Sequence, residues 1–276
     1  MRYRDFLKNE LSEVVSSDVL LPSGFHLVGH VALVHLNIET MKYAQLIGEK
    51  TLQYDQRILS VAVRTGPTEG TMRLPSYVLV AGNSNTSTTL VENGVKFRVD
   101  PLRLTFSGGN RKERLRLGRI VKNDEVIVDM FSCVGQFALH IAYESNVKVI
   151  AIEINPEAYH FLLENIKLNN LENKVTPILG DCREVHPKGL ANRVVMGYLH
   201  NTIDYLPFAL ETLVESGGVI HMHMNTPKQS IDEIKNEIEE ICRANGYTST
   251  TDVNLVKNYS PGMGHYVFDI SVTSEA

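Results

Sequence analysis

The chain has 276 residues, of which 43% are apolar and 21% are charged, a balance typical of a globular protein with a substantial core. It contains no run of about 18 apolar residues, which argues against a membrane span, and its start, MRYRDFLKNELSEVV, lacks the apolar segment of a secretory signal. Cys133, Cys182 and Cys242 form no CxxC pattern, so they predict neither a zinc site nor a disulfide framework, and a reducing cytoplasm is expected.

Charge is distributed unevenly along the chain. The formal net charge is −5, yet residues 96–123 hold nine basic and two acidic residues. A basic segment on an acidic protein is typical of a contact with a polyanion, although an ordinary solvated surface is the alternative.

The first hundred residues predict a small α+β domain. Residues 25–36, 58–65 and 75–82 have strand character, and residues 40–54 have helical spacing. In TTLVENGVKFRVD, residues 88–100, the pair Asn93-Gly94 predicts a tight turn between two strands. We expect this domain to cover residues 1–100 and a second domain to cover 101–276, with a basic helical lead-in over 101–120.

Beyond residue 120, strand-like and helical runs alternate. The strand-like runs include EVIVDMF, VKVIAIEINP, KVTPILGDCREV, NRVVMGYL and GGVIHMHMN. Helical runs separate them, and two further strand-like runs flank a Pro-Gly turn near the end. This rhythm predicts the α/β class, with a Rossmann-like, doubly wound, mainly parallel sheet.

Three carboxylates stand where strands of this sheet end. They are Asp129, Glu153 and Asp181. Ligands of doubly wound folds bind at the carboxyl ends of the strands, so these side chains are candidate ligand contacts. Each of them alone is equally consistent with a helix cap, but all three together favour a ligand site.

The loop after the first of these strands favours one class of ligand. An acid that closes the second strand, here Glu153, can bind the ribose hydroxyls of NAD or of S-adenosylmethionine (SAM). A pyrophosphate requires a GxGxxG loop, whereas DMFSCVGQF contains only Gly135. SAM carries no phosphate and is therefore favoured over NAD. Asp129 would attract its sulfonium or ammonium group or organise the loop, and Asp181, with the Cys182 N–H, would bind the adenine.

At this point the sequence resembles a known family. DMFSCVGQF, AIEINPEAYHFLLENIKLNN, GDCREV and FSGGNRKERLR are similar to SAM-dependent enzymes that modify the guanosine derivative 3′ of the anticodon of tRNA(Phe). One branch comprises tRNA (guanine-N1) methyltransferases and the other comprises wybutosine-pathway aminocarboxypropyltransferases. The run Met196-Gly197-Tyr198 and the ending YSPGMGH, residues 259–265, resemble the second branch.

The resemblance implies a set of SAM contacts. They are Ser107, Arg114, Glu153, Asp181 and Cys182. It also implies transfer of the 3-amino-3-carboxypropyl group, with SAM as co-substrate and no metal. The chain departs from the family at Gly264, where relatives commonly have tryptophan, and at Cys182, where they commonly have asparagine.

Several assignments stay open at this stage. The base-accepting residue could be His200, His265 or Asp129, and Tyr198 could stack on the target base or belong to the core. HMHMN places His221 and His223 on one face of a strand, but a third metal ligand is lacking nearby in sequence.

The basic segment is expected to bind tRNA(Phe). The residues expected to neutralise phosphates are Arg98, Arg103, Arg111, Lys112 and Arg116. The alternatives to aminocarboxypropyl transfer are a SAM-dependent tRNA (guanine-N1) methyltransferase, a non-catalytic tRNA-binding protein and an NAD enzyme.

Overall fold

A computed structural model describes residues 1–275 of the chain. The chain divides into two compact units. The first unit comprises Met1–Val91 and Phe97–Phe106, and the second comprises Glu92–Lys96 together with everything from Ser107 onward. The predicted domain boundary near residue 100 stays a prediction.

The first unit contains a four-stranded sheet and three helices. The helices are α1 (Tyr3–Glu10), α2 (Ile38–Met41) and α3 (Ala44–Tyr54), and the strands are β1 (Phe25–Val28), β2 (Val31–Val34), β3 (Ser60–Arg64) and β4 (Tyr77–Gly82). The sheet order is β1-β2-β3-β4, and only the β2–β3 pair is parallel. Helix α1 was not predicted, whereas the other predicted elements of this region are present. Leu7 and Leu11 of the α1 region pack with Ile47 of α3 in a small buried cluster.

A hairpin follows, formed by β5 (Thr88–Glu92) and β6 (Val95–Val99). Asn93 has φ +50° and Gly94 has φ +87°, so both turn residues are left-handed, as a type I′ turn requires. The turn predicted from Asn-Gly is therefore confirmed.

The second unit alternates strands and helices as predicted. Its helices are α4 (Arg111–Ile120), α5 (Ala138–Glu144), α6 (Pro156–Leu168), α7 (Cys182–Val185), α8 (Leu206–Thr212) and α9 (Ile231–Ala244). Its strands are β7 (Val126–Asp129), β8 (Lys148–Glu153), β9 (Val175–Leu179), β10 (Arg193–Met196), β11 (Gly217–Pro227), β12 (Tyr247–Ser260) and β13 (Met263–Ser274). No helix within residues 1–275 is long and apolar enough to cross a membrane.

These strands form one seven-stranded sheet in the order β12-β13-β11-β10-β7-β8-β9. The strands from β11 to β9 pair in parallel, and β13 pairs antiparallel with both β11 and β12. The chain moves outward from β7 to β8 and β9, then returns to lay β10 on the other side of β7. The predicted doubly wound sheet is confirmed, and its switch point lies between β7 and β10.

The core of this sheet is apolar and well filled. Val194 and Met196 of β10, Ile220 and Met222 of β11 and Phe268 of β13 are fully buried in one cluster. β11 starts at Gly217, whose φ is +95° and whose Cα lies tight against β13. A Cβ added there would stand 2.2 Å from the carbonyl oxygen of Val272, a backbone atom that cannot move aside.

Gly217→Ala should therefore destabilise the second unit more than Gly246→Ala. Gly246 also has a positive φ, +81°, but a Cβ there meets nothing within 4 Å. Both variants should lose about 1 kcal/mol to backbone strain, and Gly217→Ala should lose about 2 kcal/mol more through the clash. Urea unfolding followed by circular dichroism measures both, and equal losses would contradict the packing at Gly217.

Candidate functional site

The candidate site lies at the carboxyl ends of β7, β8, β9 and β10, around the switch point of the sheet. Parallel strands present their carboxyl ends at one edge, so side chains far apart in sequence meet there. The three predicted acids, Asp129, Glu153 and Asp181, all stand at this edge, directly after or at the end of their strands. Two of them also hold the backbone of the loop that follows β7.

Asp129 organises the loop after β7. Its side chain is fully buried, and its oxygens accept the backbone N–H of Phe131 at 3.3 Å and of Ala138 at 3.2 Å. Burial raises the pKa of Asp129 to about 7, although these hydrogen bonds favour the ionised form. Of the two roles predicted for Asp129, these contacts support organising the loop.

Glu153 joins the same loop to the end of β8. Its carboxylate accepts the N–H of Cys133 at 2.6 Å and that of Asn155 at 2.8 Å. Cys133 has φ +49°, so the loop turns sharply where Glu153 holds it. Burial raises the pKa of Glu153, while the two backbone hydrogen bonds oppose that rise. The side chain keeps 8% exposure, and a carboxylate has further lone pairs with which to accept ligand hydroxyls.

Gly135 allows the loop after β7 to pack closely on the core. Its φ is +95°, and an added Cβ would lie 2.7 Å from Leu139 and 2.9 Å from Leu162 carbon atoms. The glycine therefore lets the loop pack closely on the core. A Cβ has no room at this position, because leucine side chains fill the space that it would occupy.

Asp181 caps helix α7. Its Oδ1 accepts the backbone N–H of Arg183 at 2.9 Å, and the Arg183 guanidinium also bonds to the carboxylate. These hydrogen bonds from Arg183 hold the pKa of Asp181 below its usual range. The neighbouring Cys182 is buried, and burial raises the pKa of its thiol to about 12, so the thiol stays protonated at neutral pH. Asp181 and Cys182 thus offer a charged acceptor and a backbone segment at the end of β9.

Arg114 is fully buried and forms a fork with Glu92. Its Nε and Nη2 donate to the two Glu92 oxygens at 2.7 Å each, and Nη1 donates to the Ser107 carbonyl at 2.9 Å. His140 Nε2 is a further partner of Glu92 at 3.0 Å. Burial alone would raise the pKa of Glu92, but the hydrogen bonds from His140 and Arg114 outweigh it and hold the pKa at about 2.

Gln136 connects this cluster to the loop after β7. Its Oε1 accepts the N–H of Ser107 at 3.1 Å and Arg114 Nη1 at 3.3 Å. Ser107 and Arg114, predicted as SAM contacts, therefore stand beside the loop that Asp129 and Glu153 hold. The sequence did not predict a role for Gln136 or Glu92. The only feature that could have indicated Glu92 is its place as the single acid at the end of the otherwise neutral strand β5.

Aromatic rings cover the ends of β7 and β10. Tyr198 stacks on Phe131 with ring centroids 5.2 Å apart, and Tyr205 meets Phe131 edge-on at 5.0 Å. Tyr198 is half-buried, so part of its ring is accessible. Tyr198 therefore packs on the partly buried Phe131 at the edge of the site, and its stacking on a target base stays a prediction.

The histidines divide into exposed and buried groups. His200 is exposed and lies 6.1 Å from the Tyr198 ring centroid. His265 is fully buried, and its Nε2 lies 3.0 Å from His223 Nδ1. Burial, together with the charge of Lys257, lowers the pKa of His265 to about 4, so the ring is neutral at pH 7.

HMHMN belongs to a charge network. Arg193 Nη1 donates to His221 Nε2 at 2.7 Å, so His221 carries its proton on Nδ1 and donates it to Asp269. Asp269 also accepts from Arg116. Within residues 1–275, no group of three or more His, Cys, Asp or Glu is placed to hold a metal ion.

Arg116 corrects one prediction about the basic segment. Its guanidinium bonds to Glu113 at 2.7 and 2.8 Å and to Asp269 at 2.8 and 3.0 Å. Its charge is therefore already balanced by two carboxylates, and it braces α4 against β13 instead of facing a phosphate. Lys112 and Arg111 are exposed on the same helix, and Arg111 bonds to Asn93.

Two family models match the chain. The TYW2 N-terminal domain matches residues 3–86, and the TRM5/TYW2 methyltransferase domain matches residues 88–250.

Curated relatives and solved structures extend these matches. The tRNA(Phe) (4-demethylwyosine(37)-C(7)) aminocarboxypropyltransferase of Pyrococcus horikoshii is 36% identical, over 98% of this chain and 96% of its own. The tRNA (guanine(37)-N(1))-methyltransferase Trm5b of Pyrococcus abyssi is 32% identical, over 92% of this chain and 76% of its own. The crystal structure of P. horikoshii TYW2 in complex with MeSAdo has a TM-score of 0.85 at 32% identity, covering 99% of this chain and all of that one.

Asp129→Asn should reduce the pH dependence of stability between about pH 4 and 7. In the folded protein the Asp129 carboxyl has a pKa of about 7, so it stays protonated at pH values at which it has already ionised in the unfolded chain. Its contribution to the free energy of unfolding is therefore full below about pH 4 and is lost as the pH rises through 7. The free energy of unfolding should therefore fall less over this range in the variant than in the unaltered protein. Urea unfolding at a series of pH values measures the difference.

The exposed Asp232, changed to Asn, is the matched control and should leave the slope unaltered. The pKa values of Glu92 and Asp269 are held at about 2, so their contributions to the free energy of unfolding change only below about pH 4. They therefore do not affect the slope between pH 4 and 7. Identical slopes in the unaltered protein and Asp129→Asn would contradict the raised pKa.

Proposed function

Because the chain belongs to the family of the TRM5/TYW2 methyltransferase domain, we propose that it transfers the 3-amino-3-carboxypropyl group of SAM to tRNA(Phe). The acceptor is the tricyclic guanosine derivative 3′ of the anticodon, and the reaction belongs to wybutosine-derivative biosynthesis. The co-product is methylthioadenosine. A cytoplasmic site of action stays a prediction.

One observation carries the choice of branch. The chain is similar to the P. horikoshii aminocarboxypropyltransferase over 98% of its length, and residues 3–86 match the TYW2 N-terminal domain. The motif Met196-Gly197-Tyr198, placed where β10 ends at the switch point, adds local support.

We place SAM at the carboxyl ends of β7, β8 and β9. The Glu153 carboxylate would accept the ribose hydroxyls, because it already stands at the end of β8 and retains free lone pairs. Asp181 and the backbone of Cys182 would bind the adenine at the end of β9. Ser107 and the loop organised by Asp129 would hold the methionine end, and the buried Arg114 would support them through its hydrogen bonds to the Ser107 carbonyl and to Gln136.

The protein contributes mainly orientation to the reaction. The base carbon attacks Cγ of the methionine chain, the Cγ–S bond breaks with its electrons returning to sulfur, and the attacking carbon releases its proton. The sulfonium becomes a neutral thioether, so its positive charge disappears in the step. Of the three candidates for accepting the proton, Asp129 and His265 are fully buried and His200 is exposed, which favours His200.

The tRNA would lie along the basic segment. Lys112 and Arg111 are exposed on α4, and phosphates attract such side chains by charge alone. The target base would leave its stack, as bases of single-stranded RNA loops readily do, and the half-buried Tyr198 would meet it.

Transfer of a methyl group is the second candidate, because the family and the Trm5b relative include it. The protein, incubated with tRNA(Phe) bearing the tricyclic precursor, should incorporate label from carboxyl-labelled SAM and none from methyl-labelled SAM. Mass spectrometry of the modified nucleoside should give the mass gain of an aminocarboxypropyl group. Label from the methyl group alone would overturn the proposal in favour of the second candidate.

Glu153→Ala should weaken SAM binding at least about tenfold, because it removes a charged acceptor worth 1.5–3 kcal/mol in typical sites. It also frees the Cys133 N–H, which loosens the loop. Isothermal titration calorimetry measures the affinity, and Glu184→Ala, an exposed acid on α7, serves as the control. An unchanged affinity would show that the ribose binds elsewhere.

A further inference from the structure

Lys257 is a half-buried cation that no carboxylate balances. It lies on β12 opposite His265 of β13, and its Nζ makes a single hydrogen bond, to Ser107 Oγ at 3.5 Å. Within residues 1–275, no acidic side chain comes within ion-pair distance of it. A partly desolvated ammonium group without a counter-ion is costly unless a ligand supplies the negative charge.

Irregular pairing of β12 with β13 positions Lys257 beside Ser107. The pairing of β12 with β13 shifts register between Leu255 and Lys257 and again between Asn258 and Ser260. Bulges of this kind re-aim a side chain. The lysine stem then passes over Gly109, where an added Cβ would stand 2.5 Å from Nζ, so a side chain at 109 would displace the ammonium.

The other charged groups nearby leave the lysine as the available cation. The Arg114 guanidinium is fully buried, and Glu92 takes its fork. His265 is neutral at pH 7, since burial and Lys257 together lower its pKa. Burial and, to a smaller extent, the charge of Arg114 lower the pKa of Lys257, as expected for a partly buried ammonium group without a counter-ion.

We propose that Lys257 binds the α-carboxylate of SAM and thereby sets the direction of its methionine chain. The inference rests on the proposed function. Lys257 meets Ser107, Ser107 meets Gln136, and Gln136 belongs to the loop after β7, so the ammonium stands at the methionine end of the proposed SAM site. A carboxylate drawn toward β12 pulls the chain away from the adenosine and leaves its γ-carbon accessible to the base.

The test compares two ligands that differ only by the carboxylate. Lys257→Met should bind SAM about 10- to 100-fold more weakly, the range of a charge-assisted hydrogen bond. It should bind decarboxylated SAM within about threefold of the unaltered protein, since that ligand lacks the group that the lysine holds. Lys257→Arg should recover most of the SAM affinity. Lys228→Met, an exposed lysine without a hydrogen bond or ion pair in the described chain, should change neither affinity.

Isothermal titration calorimetry gives each affinity, and retained binding of decarboxylated SAM shows that Lys257→Met is folded. The inference is overturned if Lys257→Met binds SAM normally, if both ligands weaken equally, or if only the affinity for tRNA falls. If the unaltered protein binds no SAM at all, the proposed function fails and the inference fails with it. Normal SAM binding by Lys257→Met would leave the proposed function intact.

Discussion

The buried ion pair between Arg114 and Glu92 is the interaction on which the site depends. A buried pair is stable only when its remaining donors and acceptors are satisfied, because both charges have left water. Here the Ser107 carbonyl, Gln136 and His140 complete the pair. Three regions that are distant in sequence are thereby held together. They are the hairpin, the segment from Ser107 into α4, and the segment from the loop after β7 into α5.

The acids at the strand ends are likewise satisfied by hydrogen bonds within the protein. Asp129 and Glu153 each accept two backbone N–H groups, and Asp181 caps a short helix. A loop with a single glycine needs such support, because its left-handed residue Cys133 is not favoured by intrinsic preference. Asp129 and Glu153 therefore shape the loop before any ligand arrives, and preorganisation of this kind lowers the entropy lost on binding.

A second network on β11 and β13 explains charges that the site does not use. His221, Asp269 and Arg116 form a continuous chain of contacts, and Arg193 and Glu125 extend it. The network locks the long antiparallel strands to α4, which carries both Arg114 and the exposed basic residues. The charge of Arg116 is neutralised by the carboxylates of this network. Lys257 lies on β12, two strands away from β11 in the sheet order, and has no counter-ion within the described part of the chain.

The sequence by itself determined the class of the sheet, the Asn93-Gly94 turn and the three acids at strand ends, because these follow from local periodicity and turn chemistry. It also indicated SAM, since a loop that lacks a GxGxxG pattern cannot cradle a pyrophosphate. Only the tertiary structure decided what each charge pairs with. Arg114 and Arg116 look alike in one basic helix, but one forks with Glu92 and the other with Glu113 and Asp269. Glu113 lies three residues from Arg116 and is a local helical partner, whereas Glu92 lies 22 residues from Arg114 and Asp269 lies 153 residues from Arg116. The tertiary arrangement of the strands brings these two distant pairs together, and no local pattern encodes it. The proximity of Lys257 to Ser107 has the same origin.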